Sequence, residues 1–207
     1  MRRERRPVPW VLGVDASLTR TALVLIPPGW VPGDWGCLFV HEISIPGVPR
    51  EHCRDDLEFE EYRVDRLSCI AENAFEFVAQ HFEMNREFRG FIESYAFSAS
   101  SSSVTKLAEL GGVLRVTFYN RMNLILAPVT ASSARKLMLG RLPQKDQKLA
   151  AQGALYRAGF LSERQDPRLS AEKRATRWMK ECGDACDALC IANAGRCDLG
   201  LLGLTLA

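Results

Sequence analysis

The sequence has little of what most enzyme sites are built from. Only three histidines occur, His41, His52 and His81, all in the first half of the chain. There is no Cys-x-x-Cys pair and no paired Cys/His spacing, which removes the usual zinc pattern. No apolar run reaches the ~18–20 residues of a membrane span. The basic start "MRRERRPVPW" is followed by neither an apolar signal region nor a small-residue cleavage site. A soluble intracellular protein, free of membrane, is expected. Charge of one sign is also missing, since the net charge is only +2, and no internal repeat is present.

What remains is enough for a sizeable core. At 207 residues and 47% hydrophobic content, one domain over 1–207 is expected, with a basic tail at 1–9 and loop-rich segments at 27–57 and 160–182. Cys182, Cys186 and Cys190, of seven cysteines, are spaced as a helical stripe. Such a stripe is either a three-thiolate ligand set or a row of small core residues, and a reducing compartment favours the second. Charge is unevenly spread. Residues 51–93 carry 12 acidic and 5 basic side chains, whereas 104–180 carry 15 basic and 5 acidic. A basic half of this kind is a nucleic-acid footprint or an ordinary solvated surface.

Periodicity orders the elements. "WVLGVDAS" (10–17), "TALVLIP" (21–27) and "CLFVHEISI" (37–45) read as strands, the first two as a hairpin. A helical period runs from Leu57 to Asn85. "FRGFIESYAF" (88–97) returns to strand, and 104–121 is a helix with Leu107, Leu110, Leu114 and Phe118 on one side. "NLILAP" (123–128) is a fifth strand, Thr130 and Ser132 can start a short helix, and 144–159 forms another. Residues 160–182 are charged and contain Pro167, which reads as loop with a little helix. A last helix is predicted over Gly183–Ala194, stopped by Gly195. This order gives an α/β, ribonuclease H-like mixed five-stranded sheet flanked by helices.

Four acids stand where apolar elements end: Asp15, Glu93, Asp184 and Asp187. A buried lone carboxylate costs several kcal/mol unless it is paired or binds metal. At 100° per residue Asp184 and Asp187 share one helix side, looking toward the sheet edge where Asp15 and Glu93 end. The cysteine stripe lies roughly opposite, and Cys, Leu and Ile are expected to bury against the sheet. A helix opening at Gly183 would keep both aspartates ionised through its dipole. An all-oxygen set suits Mg²⁺ or Mn²⁺, and two such ions can drive phosphodiester hydrolysis without a side-chain nucleophile.

At these residues the sequence resembles the RuvC-like Holliday junction resolvases. "VLGVDASLTRTALVLI" resembles their first hairpin, and "FIESYAFSASSSSVTKLAELGGVLR" their strand-ending glutamate, aromatic, polar loop and Gly-Gly helix. "APVTASSARKLMLGRLPQKDQ" resembles the block with two lysines, and "DACDALCIA" the closing D-x-x-D-A-L helix. The chain departs from many relatives in reading Asp-Ala-Ser for Asp-Pro-Gly at the first turn and in lacking the common Gly after Arg20, which marks a divergent member, and the resemblance implies the cytoplasm of a bacterium or a phage-infected host, or an organelle. The resemblance implies a homodimeric crossover junction endonuclease that nicks two strands of branched, four-way DNA symmetrically, with two Mg²⁺ (or Mn²⁺) per site. It implies metal ligation by Asp15, Glu93, Asp184 and Asp187, with Lys145 near the scissile phosphate. It places Lys136, Arg141, Lys145 and Lys148 on DNA, and Phe97 or Tyr95 as the aromatic wedged into the junction. Gly111-Gly112 lies on the helix that contributes to the family's dimer interface. A branch-migration motor is a further partner for such enzymes. Two alternatives remain: a nuclease of the same fold acting on flaps, forks or RNA–DNA hybrids, and a non-catalytic DNA-binding dimer.

Overall fold

A computed structural model describes residues 8–81, 87–94, 102–201 and 203–206. Five strands form one sheet: β1 (Trp10–Asp15), β2 (Thr21–Ile26), β3 (Phe39–Ile43), β4 (Phe88–Glu93) and β5 (Leu126–Val129). Their order is β3-β2-β1-β4-β5. The first three pair antiparallel, while β1–β4 and β4–β5 are parallel. This is the ribonuclease H-like mixed sheet that the element order predicts. The β1–β2 turn is closed by the Thr21 hydroxyl, which donates to the Ser17 carbonyl at 2.9 Å.

Both faces of the sheet are covered, so β1 and β2 are buried along their whole length and read as continuous apolar runs. The period of two splits their side chains. Leu12, Val14, Leu23 and Leu25 pack with Ile70, Ala74, Leu110 and Leu114, from α1 (Asp56–Ala79) and α2 (Ser102–Met122). Val11, Ala22, Val24 and Phe91 pack on the other side with Met138, Leu155 and the last helix. Those residues come from α3 (Ala131–Leu139), α4 (Gln147–Arg157) and α5 (Ala171–Asp198). Caps fix two of the starts: Asp55 accepts from the Glu58 amide at 2.8 Å, and Thr130 from the Ser133 amide at 3.4 Å.

The last helix differs from its sequence reading. It spans 28 residues, so 171–182 is helix rather than loop, and Gly183 lies in its middle. Glu172, Lys173, Arg177 and Lys180 are exposed, while Trp178 and Cys182, four apart, extend the buried stripe upstream. Trp178 donates its indole N–H to the Leu161 carbonyl at 3.1 Å and meets Tyr156 and Phe160 edge-on. Gly195 is not a stop either. A Cβ there would run into the Phe91 ring, so this glycine serves close packing against β4. Cys182, Cys186, Cys190, Leu189 and Ile191 join the core on this side of the sheet, and Ala188 and Ala192 lie against Gly13 of β1.

Candidate active site

Strand alternation aims two acids at α5. On β1, Asp15 follows Val11 and Gly13 onto the α5 side, and on β4, Glu93 follows Phe91. The parallel β1–β4 register pairs Val14 with Ile92, so both acids end their strands at the same edge of the sheet. Their carboxyl groups share a hydrogen bond. On α5, Asp184 lies one turn before Ala188, which faces β1, and Asp187 lies three residues after Asp184, close enough for its charge to act on Asp15. Asp15 and Asp187 are buried, at 5% and 4% exposure, while Glu93 and Asp184 are half-buried.

Burial holds the Asp15 carboxyl well above the usual carboxylate range. The hydrogen bond with Glu93 and the charges of Glu93 and Asp187 push it the same way, and Lys148 works against them. The helix dipole is not what balances α5. Its N-terminus lies 13 residues before Asp184, far beyond the single turn over which the dipole acts. Two side-chain cations do so instead. Arg135 of α3 donates twice to Asp187 Oδ1, from Nε at 3.0 Å and from Nη2 at 2.9 Å. Lys148 of α4 reaches Asp187 Oδ2 at 2.8 Å and Asp184 Oδ1 at 3.5 Å. Burial opposes the ammonium charge of Lys148, yet Asp187, Asp15 and Asp184 together hold its pKa above its ordinary value.

The predicted residues divide accordingly. Asp15, Glu93, Asp184, Asp187 and Lys148 come together. Lys136 and Arg141 are exposed, on α3 and just after it, and Lys145 is exposed on the α3–α4 loop. Among the described residues no ion pair joins these three to the acids. Phe97 and Tyr95 lie outside the described residues. Arg135 was missed from the sequence; its signal is its place three residues before buried Met138 and beside buried Ala134, which turns it inward while Lys136 faces solvent. Cys182, Cys186 and Cys190 are buried core residues. Burial pushes the Cys182 thiol up to about 11.

Among the described residues no three His, Cys, Asp or Glu side chains are arranged closely enough to hold a metal ion as they stand. The donor chemistry does fit a hard divalent cation. All four acids offer oxygen, and Lys148 only partly offsets the load that Glu93 and Asp187 place on Asp15, whose pKa stays raised.

Neither a known family profile nor a curated protein sequence matches the chain. Solved structures do. RuvC of T. thermophilus in complex with a Holliday junction substrate aligns with a TM-score of 0.54 and 18% identity, over 93% of this chain and 97% of that one. The chain has a RuvC-like fold. A second Thermus thermophilus RuvC structure aligns with a TM-score of 0.54 and 17% identity, over 92% of this chain and 96% of that one. At this identity the likeness to RuvC is one of architecture, and it extends over nearly the whole of both chains.

Proposed function

We propose that this chain is a divalent-metal-dependent endonuclease that resolves four-way DNA junctions by paired symmetric nicks. The observation that carries the reading is the meeting of Asp15, Glu93 and Asp187 from β1, β4 and α5 at one sheet edge, on a fold like that of a protein solved with a Holliday junction. Asp15, Glu93, Asp184 and Asp187 would hold Mg²⁺ or Mn²⁺, two per site. When bound, such ions supply positive charge at the scissile phosphate and lower the pKa of water. The chain's own groups do the rest. Arg135 fixes Asp187 through one oxygen, and Lys148 holds the other. Lys148 sits among three aspartates, where it can swing to a phosphate, and Lys145, Lys136 and Arg141 supply further positive charge for the backbone. Phe97 or Tyr95 serves as the aromatic wedge. A homodimer gives two sites for two strands. Room for it exists on α2, where a Cβ at Gly112 would meet nothing and Val116 and Tyr119 are exposed.

Purified protein with Mg²⁺ is offered four-way junctions, linear duplex, flaps, forks and RNA–DNA hybrid. Paired symmetric nicks confined to the junction are expected, and Asp187→Asn should cut nothing. Cutting of linear duplex at the same rate refutes the reading. The pairing of Asp187 with both Arg135 and Lys148 favours a second reading, a DNA-binding dimer without catalysis. Its mark is a junction shift in Ca²⁺ with no cutting in Mg²⁺ or Mn²⁺.

A further inference from the structure

The N-terminal half of α5 has little part in the core beyond Trp178 and its neighbours, yet it is one unbroken helix with the segment that carries Asp184 and Asp187. At 100° per residue, Lys173, Arg177 and Lys180 fall within an arc of ~60° that also contains Asp184. They are exposed. Beside them lies an open cleft of about 610 Å³, lined also by Arg20 of the β1–β2 turn and by the Thr176 hydroxyl.

The acids of the cleft are Glu172 and Glu181. Glu181 is spent on Arg177, at 2.7 Å, and Arg177 also lies 3.6 Å from Asp166. Arg20 donates to the Glu181 carbonyl at 2.6 Å and lies 4.0 Å from Glu42. Lys173 and Lys180 pair with no acid among the described residues. Four cations against two acids leave the cleft at net +2. None of its lining side chains is a large apolar or aromatic one, the kind that anchors a protein partner. From Lys173 to Asp184 the helix rises ~16 Å, the length of ~5 nucleotides at 3.4 Å per step of one strand.

We propose that this ridge, Lys173, Thr176, Arg177 and Lys180 with Arg20 opposite, is a track for the sugar–phosphate backbone of a DNA strand leading to the acid cluster. That the strand is the one cut rests on the nuclease reading; that the ridge binds a nucleic-acid backbone does not. The ridge holds phosphates through charge and one hydroxyl and reads no base, so it grips any sequence equally.

The test is binding without catalysis. The full chain and the Lys173→Gln/Lys180→Gln double variant are titrated against a labelled four-way junction and a labelled single strand in EDTA, from ~50 to 200 mM salt. Each lost phosphate contact removes ~0.9 from the slope of log K against log salt on duplex and ~0.7 on a single strand. The double variant should therefore show a slope shallower by ~1–2 and at least ~tenfold weaker binding at the lowest salt. Arg89→Gln, at the far end of β4, should bind as the unaltered chain does. Unchanged slope and affinity in the double variant overturn the proposal, as does an equal loss in Arg89→Gln. If the chain cuts junctions while the double variant binds normally, the track fails and the nuclease stands. If nothing is cut while the double variant loses the slope, the nuclease fails and the track stands.

Discussion

Replacing Gly13 by alanine adds a single methyl group at the point where β1 meets α5. A Cβ there would lie 2.5 Å from Ala192 N and 2.7 Å from Ala192 Cβ, and nearer still to the Ala188 carbonyl oxygen. Two of these three atoms are backbone, and the third belongs to a side chain with no rotamer to change. The clash is relieved only by moving α5 off the sheet. Two effects oppose each other. Alanine restricts the unfolded chain, which stabilises by ~0.4–1 kcal/mol where the backbone tolerates it. Overpacking costs ~1–3 kcal/mol, and a collision with backbone belongs at the top of that range. The net loss is ~2–3 kcal/mol. In a chain of this length each kcal/mol is worth ~2–4 °C, so Gly13→Ala should melt ~4–12 °C below the unaltered protein by far-UV circular dichroism. Gly153→Ala is the control. It lies within α4, where a Cβ meets only the end of the Arg157 side chain at 3.5 Å. It should gain ~0.5–1 kcal/mol. Because Asp15 is two residues from Gly13, displaced α5 also carries Asp187 away from Asp15, and junction cutting should fall with the melting temperature. A Gly13→Ala protein melting within ~2 °C of the parent, or as stable as Gly153→Ala, refutes the packing argument.

Trp178→Ala should cost ~3–5 kcal/mol in denaturant unfolding, because its ring is buried between Tyr156 and Phe160; a cost below ~1 kcal/mol would mean that 171–182 does not pack as a helix. Asp15→Asn tests the raised carboxyl. A folded-state pKa above the unfolded one gives stability that is complete below the ordinary carboxylate range and is lost as pH rises through the raised value. In buffer free of divalent ions Asp15→Asn should therefore melt above the parent at about pH 8, with the gap closing toward about pH 4. An equal gap at both pH values contradicts it.

The strands were legible because both sheet faces are buried, so "WVLGVD" and "TALVLI" are unbroken apolar runs that no helix period fits. Asp15 and Glu93 were legible in a similar way, as charges closing the apolar runs of β1 and β4. The start of α5 was not. Its first eleven residues are mostly charged and its buried contacts are long-range, with Phe160 and Leu161, so local periodicity shows only Trp178 and Cys182. That one boundary carried a second error with it: a helix starting at Gly183 offers a dipole to the aspartates, and a helix starting at Ala171 does not. Arg135 was hidden by its neighbour. Adjacent basic residues on a helix point 100° apart, and which one turns inward depends on how α3 rotates against α5.

The negative and positive halves of the site belong to parts of the fold that open at different free energies. Asp15 and Asp187 sit where the central strand and the last helix are buried on every side, so their amides should exchange with deuterium only through global unfolding. Lys148 enters from the second position of α4, behind an exposed loop that turns through Asp146 in the left-handed region. That loop can open alone, with Lys148 at its edge. The carboxylates are thus fixed to the rigid frame, while the ammonium that neutralises them can leave without disturbing it.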